Sequence, residues 1–358
     1  MAVSTPPRWV LGMVPTPLVR TERLERALGC PPLYVKRDDL IGFALAGNKT
    51  RLLEHLLADA LAQRCTLLLT GGGVASSYCA GTAVAAAGAG LGCTLLIYGA
   101  EPRRPHPNLA LARAAGARVR FTGSPARESV DVALLEVEAE LRRSGERPYV
   151  VPRGGATAVA ALGFAHAAAE LDEQLATLGV ETATVLIATG SGASQAGLVA
   201  GSLLAASRWH VVGASVSRPP EEATAQVSRL ATECAALLGV AGPAPAQVDV
   251  RDARGAGYGI PSPEAERAAV IALREAGLVL DPVFTAKALA VLPDVARECG
   301  AETMVFWHTG GIPVALAHLV QVEERRGRGR RTAEDTAPGR PPRKGSSQSR
   351  PLPDEVQV

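Results

Sequence analysis

Aromatic residues are scarce in this sequence, at 4% of 358 residues, although 47% of the chain is hydrophobic. A core of this composition is built mainly of alanine, leucine and valine, which suits helices packed on a buried parallel sheet. The composition therefore favours an α/β fold. The chain is longer than the roughly 100–200 residues of a usual domain, so two domains are expected.

Several signals of membrane, secreted and metal-binding proteins are also missing. No apolar run reaches the ~18 residues of a membrane-spanning helix, and the first residues lack the charged and apolar segments of a leader. The six cysteines include no Cys-x-x-Cys pair, and no His, Cys or carboxylate cluster has metal-ligand spacing. We therefore expect a cytoplasmic protein with reduced thiols, no membrane association and no metal.

The chain has little excess charge of either sign, with a formal net charge of +2. Residues 325–358 carry nine basic and four acidic residues, which leaves 28 basic and 31 acidic residues in 1–324. A body without basic excess gives no electrostatic basis for binding nucleic acid. The basic segment is rich in arginine, glycine, proline and serine, which predicts a disordered tail over 325–358.

Apolar segments of strand and helix length alternate through most of the chain. Predicted strands such as 65–70 and 184–188 are each followed by a predicted helix, which indicates parallel sheets with right-handed crossovers. We predict a larger domain formed by 1–50 and 159–324 and a smaller domain formed by 51–158. A cofactor is expected in the cleft between them.

The segment Gly47-Asn48-Lys49 precedes a run of leucines at helical spacing. Glycine permits a sharp turn and asparagine is a common N-cap, so Lys49 is predicted on the first turn of a helix. The positive end of the helix dipole lowers the pKa of an amine there, which prepares Lys49 to act as a base or to bond covalently to a carbonyl group. A lysine considered alone is more commonly a solvated surface residue.

A second segment, residues 190–194 (Gly-Ser-Gly-Ala-Ser), lies between an apolar strand and a predicted helix. Its glycines and the helix start let backbone N–H groups converge on an anion such as a phosphate. A dinucleotide fingerprint needs glycine where Gln195 stands, and the Gly-Lys-Ser/Thr of a P-loop is absent. The segment therefore predicts a site for one phosphomonoester, with a tight turn that binds nothing as the alternative.

Two hydroxyl residues, Ser76 and Ser77, begin a predicted helix after a triple glycine. Backbone amides at such a position suit a substrate carboxylate, and an ordinary N-cap is the alternative. An activated lysine, a phosphate site and a carboxylate site together indicate pyridoxal phosphate, which stabilises a carbanion at the Cα atom of an amino acid.

With these motifs in this order, the sequence resembles the tryptophan-synthase-β-like class of pyridoxal-phosphate enzymes, also called fold type II. Within that class it resembles the branch of D-cysteine desulfhydrase and 1-aminocyclopropane-1-carboxylate (ACC) deaminase. The resemblance extends from residues 15–18 (Pro-Thr-Pro-Leu) to residues 308–311 (His-Thr-Gly-Gly). It implies a two-domain α/β fold with parallel sheets flanked by helices, and we expect a homodimer.

The resemblance implies a role for each matching residue. Lys49 would bind the cofactor covalently and move the Cα proton, and Tyr258 matches an active-site tyrosine. Ser76 would bind the substrate carboxylate, and Thr309 would face the pyridine nitrogen. A hydroxyl there leaves the nitrogen unprotonated, which suits elimination over transamination. The other expected cofactor-binding residues are Asn48, Ser77, Gly190, Ser191, Gly192, Ala193 and Ser194.

Two departures from the family pattern bear on the substrate. Ser77 stands where the family has asparagine, and Phe284 stands where it has the tyrosine of Asp-Pro-Val-Tyr. A phenyl group cannot transfer a proton, which disfavours opening of the ACC ring. We therefore predict α,β-elimination on a small amino acid, most simply D-cysteine, giving pyruvate, ammonia and sulfide. ACC deamination, β-replacement on a related amino acid, and cofactor binding with little turnover remain alternatives.

Overall fold

The computed structural model describes residues 7–335, with side chains as far as residue 325. The strands are β1 (Leu18–Arg20), β2 (Leu33–Arg37), β3 (Leu67–Gly72), β4 (Gly92–Ile97), β5 (Arg118–Phe121), β6 (Pro148–Val150), β7 (Thr184–Thr189), β8 (His210–Ser215), β9 (Asp249–Asp252) and β10 (Met304–His308). The α-helices are α1 (Glu22–Leu28), α2 (Lys49–Ala62), α3 (Ser77–Gly88), α4 (Pro107–Ala114), α5 (Ser129–Arg143), α6 (Ala158–Thr177), α7 (Ala193–Ala205), α8 (Pro220–Leu238), α9 (Pro263–Ala276), α10 (Thr285–Ala290), α11 (Leu292–Glu298) and α12 (Ile312–Asp335).

Six of the strands form one sheet in the order β1-β2-β10-β7-β8-β9. β1 is antiparallel to β2, and every other neighbouring pair is parallel. The central strands β7 and β10 are buried along their whole length, and Phe306 and Trp307 have no exposed surface. Burial on both faces explains why these strands are continuous apolar runs in the sequence.

The other four strands form a parallel sheet in the order β5-β4-β3-β6. Helix α5 covers one face through Val130, Leu134 and Val137, which pack with Leu67 and Leu96. Helix α3 consists largely of small residues, so it can approach its neighbours closely. Both sheets therefore follow the helix-on-parallel-sheet arrangement expected from the composition, and the predicted α/β class is confirmed.

Three neighbouring strands bring distant segments of the chain to one edge. β2, β10 and β7 are parallel, so their carboxyl ends at Arg37, His308 and Thr189 lie side by side. The chain continues from these ends into the Lys49 segment, into Thr309 and into the loop at residue 190. Open α/β sheets bind their ligands at such an edge.

Some predicted elements differ from the observed ones. β1 and β9 were not predicted, because three or four residues are too few to show a clear apolar pattern. The sequence over 285–299 predicts a single helix, but the structure divides it into α10 and α11 at Val291, because Pro293 in the first turn of α11 cannot donate a backbone hydrogen bond.

The predicted tail over 325–358 overlaps the last part of a helix and stays a prediction. α12 continues to Asp335, beyond the predicted boundary at residue 325, and no proline interrupts its backbone hydrogen bonding after Pro313 in its first turn. The rest of the predicted tail, residues 336–358, lies outside the described residues.

The predicted division into two domains stays a prediction. The described residues up to His318 form one compact unit, although the four-stranded sheet comes entirely from 67–150 and the six-stranded sheet comes from the sequence on either side. Between residues 7 and 335, no helix is both long enough and apolar enough to cross a membrane.

Candidate active site

A cavity of about 590 Å³ contains almost all of the residues that the sequence pointed to. This volume lies within the range of about 300–1,000 Å³ that is usual for small-ligand sites. The predicted residues in its wall are Asn48, Lys49, Ser76, Ser77, Gly190, Ser191, Gly192, Ser194, Tyr258 and Thr309. Ala193 is the exception: it is fully buried behind the wall, as the first residue of α7.

Lys49 is the first residue of α2, as predicted, and a tertiary contact fixes this helix start. Gly47 has a φ of +56°, and a Cβ atom there would lie 2.3 Å from the carbonyl oxygen of Thr309. The N–H of Asn48 donates to the same carbonyl at 3.0 Å. Glycine is therefore required by both conformation and space, and it brings the Lys49 turn against the end of β10.

The side chain of Asn48 does not cap α2, contrary to its predicted role. Asn48 occupies the N-cap position but accepts no bond from the helix, and its Nδ2 donates to Ser194 Oγ at 3.0 Å. A helical φ and ψ at Asn48 account for this, because a capping side chain requires a more extended backbone. Asn48 instead connects the beginning of α2 to the first turn of α7.

The amine of Lys49 is prepared for reaction mainly by its surroundings. Burial lowers the pKa of Lys49 to about 8, and the negative charge of Asp281 opposes that shift. Within the described part of the chain, the Lys49 Nζ atom has no hydrogen bond or ion pair. The predicted lowering is therefore present, and removal from water is its largest cause.

Asp281 is a functional candidate that the sequence had not singled out. Its carboxylate is 2% exposed and accepts bonds from the N–H groups of Val283, Phe284 and Thr285 at 2.8–3.1 Å. Burial raises the pKa of Asp281, and the three N–H donors oppose this. The Asp281-Pro282 pair is a recognisable turn signal in the sequence. Only the fold, however, brings the Asp281 carboxylate close enough to Lys49 to affect its pKa.

The loop at residues 190–194 has the form of an anion site. Gly192 has a φ of +94° and precedes α7, whose first N–H groups are capped by no side chain. The first N–H groups of a helix have no partner within it, so they are free to bind an anion in the cavity. Ser191 Oγ donates to the Gly154 carbonyl at 3.0 Å. This bond joins the loop to the segment that precedes α6. These amides fit the phosphate of pyridoxal phosphate.

The serines before α3 have two different sets of contacts. Ser76 Oγ accepts a bond from the Cys79 N–H at 3.1 Å, so Ser76 is the N-cap of α3. Ser77 Oγ accepts a bond from Asn108 Nδ2 at 3.2 Å. Asn108, which the sequence did not point to, also donates to the carbonyl of Ala75 at 2.8 Å. It therefore supports the turn where a substrate carboxylate is expected.

Tyr258 lies in the cavity wall among aromatic and cationic neighbours. Its ring packs edge-on to Phe284 with centroids 6.0 Å apart, and the Arg127 guanidinium lies 4.0 Å from its centroid. Burial raises the pKa of Tyr258 to about 12, and Arg127 opposes this shift. Tyr258 is therefore a neutral phenol that can donate a hydrogen bond at neutral pH. Phe284 also packs against Gly190, where a Cβ atom would lie 2.9 Å from the ring.

Comparison with known proteins identifies the family of the chain. A family model described as pyridoxal-phosphate dependent enzyme matches residues 10–310. A D-cysteine desulfhydrase of Yersinia pestis is 35% identical over 314 residues, which cover 86% of this chain and 94% of the relative. A Pyrococcus abyssi protein, named as a proposed ACC deaminase, is 38% identical over 315 residues, which cover 86% and 92%.

A solved structure gives the same result for the fold. The crystal structure of an ACC deaminase homologue superposes with a TM-score of 0.79 and 34% sequence identity, covering 86% of this chain and 93% of the other. The predicted fold class, family and cofactor are thereby confirmed. On this match over most of its length, the chain belongs to the family of pyridoxal-phosphate dependent enzymes.

Proposed function

We propose that this protein is a pyridoxal-phosphate dependent lyase that carries out α,β-elimination on a small amino acid, most simply D-cysteine. The observation that carries the proposal is the partnerless Lys49 amine with its pKa of about 8, in one cavity with the first turn of α7. The D-cysteine desulfhydrase name of a relative at 35% identity supports the substrate. The products would be pyruvate, ammonia and sulfide.

The residues of the cavity are given the following roles in the proposal. Lys49 holds the cofactor covalently, and the amides at the beginning of α7 bind its phosphate. The amides at the beginning of α3, with Ser76 and Ser77, bind the substrate carboxylate, and Thr309 faces the ring nitrogen. When bound, pyridoxal phosphate withdraws electrons from the substrate Cα atom and so makes its proton acidic.

Lys49 is the group assigned to remove the proton from the substrate Cα atom. With the cofactor bound and the substrate amine joined to it, Lys49 Nζ would be free to act as the base that removes the Cα proton. The Cβ–S bond then breaks, and its electron pair leaves on sulfur as sulfide. Cβ then takes up a proton and becomes the methyl group of pyruvate, water supplies the keto oxygen, and the nitrogen leaves as ammonia.

ACC ring opening is the second candidate, because a relative and a solved homologue carry that name. Phe284 speaks against it, since its phenyl ring has no proton to transfer and lies against Tyr258 and Gly190. The same cavity would also allow β-replacement, or cofactor binding with little turnover, and product analysis separates these outcomes.

The test is to incubate the purified holoenzyme separately with D-cysteine, L-cysteine and ACC. Pyruvate with equal sulfide from a cysteine supports the proposal, whereas 2-oxobutyrate from ACC supports the alternative. A Phe284→Tyr variant serves as the matched comparison, and we expect any ACC ring opening to increase in it. A holoenzyme that releases neither product pair would contradict both candidates.

Two further parts of the proposal concern location and assembly. All six cysteines are free thiols, three of them buried, which supports a reducing compartment such as the cytoplasm. The homodimer rests on the resemblance alone. Light scattering coupled to size-exclusion chromatography tests it, and a mass near 37 kDa, that of one 36.9 kDa chain, would contradict it.

A further inference from the structure

The cavity wall contains more positive charge than the proposed chemistry uses. Four arginines line it together with Lys49. Two of them are neutralised: Arg153 pairs with Asp131 at 2.6 Å, and Arg229 pairs with Glu233 at 2.7 Å. The other two arginines are Arg127 and Arg218. Among the residues that the structure describes, neither of these forms an ion pair with a carboxylate.

Arg127 and Arg218 both contact residues of the proposed active site. The Arg127 guanidinium lies 4.0 Å from the ring centroid of Tyr258. Arg218 follows β8, and its Nη1 donates to the carbonyl of Gly190 at 2.6 Å. Because each guanidinium has five N–H donors, these contacts leave most of the donors available. Arg127 precedes α5 and Arg218 follows β8 of the six-stranded sheet, and the two guanidinium groups are close enough to interact electrostatically.

Guanidinium groups brought close together repel one another unless an anion lies between them. Burial lowers the pKa of Arg218, and the charges of Arg127 and Arg153 lower it further, while Glu222 and Asp131 oppose this. Two anions of the proposed reaction already have sites in backbone amides, the cofactor phosphate at α7 and the α-carboxylate at α3. An additional anionic group would remove the repulsion.

We propose that Arg127 and Arg218 form a subsite for a negatively charged substituent on the β-carbon of the substrate. This inference rests on the proposed β-elimination and names its substrate class: amino acids whose β-substituent is a phosphate ester or a sulfonate. D-Cysteine lies outside this class, although its sulfur also leaves as an anion.

The elimination balances for such a substrate. With O-phosphoserine, Lys49 takes the Cα proton, the Cβ–O bond breaks, and its electron pair leaves on the phosphate. Cβ then takes up a proton and becomes the methyl group of pyruvate, while water supplies the keto oxygen and the nitrogen leaves as ammonia. The arginines take no part in bond breaking and stabilise the charge of the leaving group.

The test measures binding with a probe that has no leaving group. The absorbance change of the bound cofactor gives the dissociation constants of aspartate and alanine, each as both enantiomers, for the holoenzyme. We expect aspartate to bind about 10-fold or more tightly than alanine, and Arg127→Met or Arg218→Met to reduce this preference by about 10-fold. Arg229→Met is the matched control, since its guanidinium is already paired, and it should change the preference less than about 2-fold.

Three results have distinct meanings. Equal binding of aspartate and alanine overturns the subsite. An unchanged preference in both variants, with weaker binding of pyridoxal phosphate to the cofactor-free protein, also overturns it, because the arginines then serve the cofactor phosphate. A normal preference without release of pyruvate from D-cysteine or O-phosphoserine supports the subsite and contradicts the proposed elimination alone.

Discussion

Two lysines near the start of the chain lie in opposite electrostatic surroundings. Lys36 in β2 has no exposed surface, and its Nζ donates to the Thr16 carbonyl at 2.6 Å, to Gln174 Oε1 at 2.7 Å and to the Glu170 carboxylate. Lys49 faces the cavity, and in the part of the chain with described side chains its amine has no such partner. Burial lowers the pKa of both amines, so they differ in their partners.

The paired lysine belongs to a network that supports the helix of the unpaired one. Glu170 also accepts bonds from Arg51 at 2.9 and 3.0 Å, and Arg51 pairs with Asp38 at 2.9 Å. Because Arg51 lies two residues after Lys49 in α2, these bonds fix the first turn of the helix. Buried charged groups that have all their hydrogen-bonding and ion-pair partners stabilise the position of α2, whereas an unpaired amine beside a cavity is available for chemistry.

Replacing the unpaired lysine tests the catalytic half of this comparison and has the largest expected effect. Lys49→Met should lower the rate of pyruvate formation by about 10³-fold or more, because both the covalent attachment and the base are lost. The free energy of unfolding at pH 7 should rise by on the order of 1 kcal/mol, since a desolvated ammonium is removed. Holoenzyme kinetics and urea unfolding of the cofactor-free protein measure the two quantities.

The pH dependence of that stability change has a definite sign. The unfolded lysine keeps its proton up to its ordinary pKa of 10.5, whereas the folded one keeps it only up to about 8. The cost of Lys49 to stability is therefore present below pH 8 and is lost as the pH rises to 10.5. For the kinetic prediction, a Lys49→Met variant that forms pyruvate at a tenth of the wild-type rate would show that another group is the base.

Replacing the paired lysine, Lys36, should lower the free energy of unfolding instead of raising it. Lys36→Met leaves Glu170 with one cation and removes three buried hydrogen bonds, so we expect the free energy of unfolding to fall by about 3 kcal/mol. The matched control is Arg120→Met, which breaks an exposed pair with Glu140 and should cost less than about 1 kcal/mol. Equal losses in the two variants would refute the structural role of the network.

Chemical labelling sharpens the comparison without any substitution. The chain has only four lysines, and Lys287 donates to the carbonyls of Arg254 and Gly257 at 2.6 and 2.7 Å. In the cofactor-free protein, acylation of Lys49 should be half-maximal near pH 8, because the neutral amine is the reactive form. Below that pH, its rate should fall about tenfold per unit, so modification at pH 6 would be about a hundredth of the maximum. Mass spectrometry of peptides separates Lys49 from Lys36, and equal labelling of both at pH 8 would contradict the prediction.

The parts of the site that could be predicted from the sequence are those made by neighbouring residues. The turn before Lys49 and the glycine loop before α7 are each encoded within a few positions, and the structure confirms both elements. The parts that could not be predicted depend on partners distant in the chain. The Asn48 amide finds Ser194 across 146 positions, and neither residue has a local feature that indicates the other.

The fold shows the same limit. Long buried strands such as β7 could be identified from a continuous apolar run, whereas β1 takes its structure from antiparallel pairing with β2. Arg127 and Asp281 resemble ordinary loop residues in the sequence, and only the tertiary structure brings them to the cavity. The features that local sequence patterns could not predict therefore depend mostly on contacts between distant parts of the chain.

The smallest predicted effect concerns the bond that joins the beginning of α2 to α7. Asn48→Ala removes the hydrogen bond to Ser194 at 3.0 Å, and we expect the dissociation constant of pyridoxal phosphate to rise about 5-fold, equivalent to ~1 kcal/mol. Asn108→Ala is the control: it removes the side-chain hydrogen bonds to Ser77 and to the Ala75 carbonyl, both at the proposed carboxylate site. It should raise the KM of the substrate and leave cofactor affinity within about 2-fold, because the two side chains support different proposed anion sites. Cofactor titration by fluorescence and steady-state kinetics separate the two outcomes, and a larger loss of cofactor affinity in Asn108→Ala than in Asn48→Ala would show that the α2–α7 contact does not hold the phosphate loop.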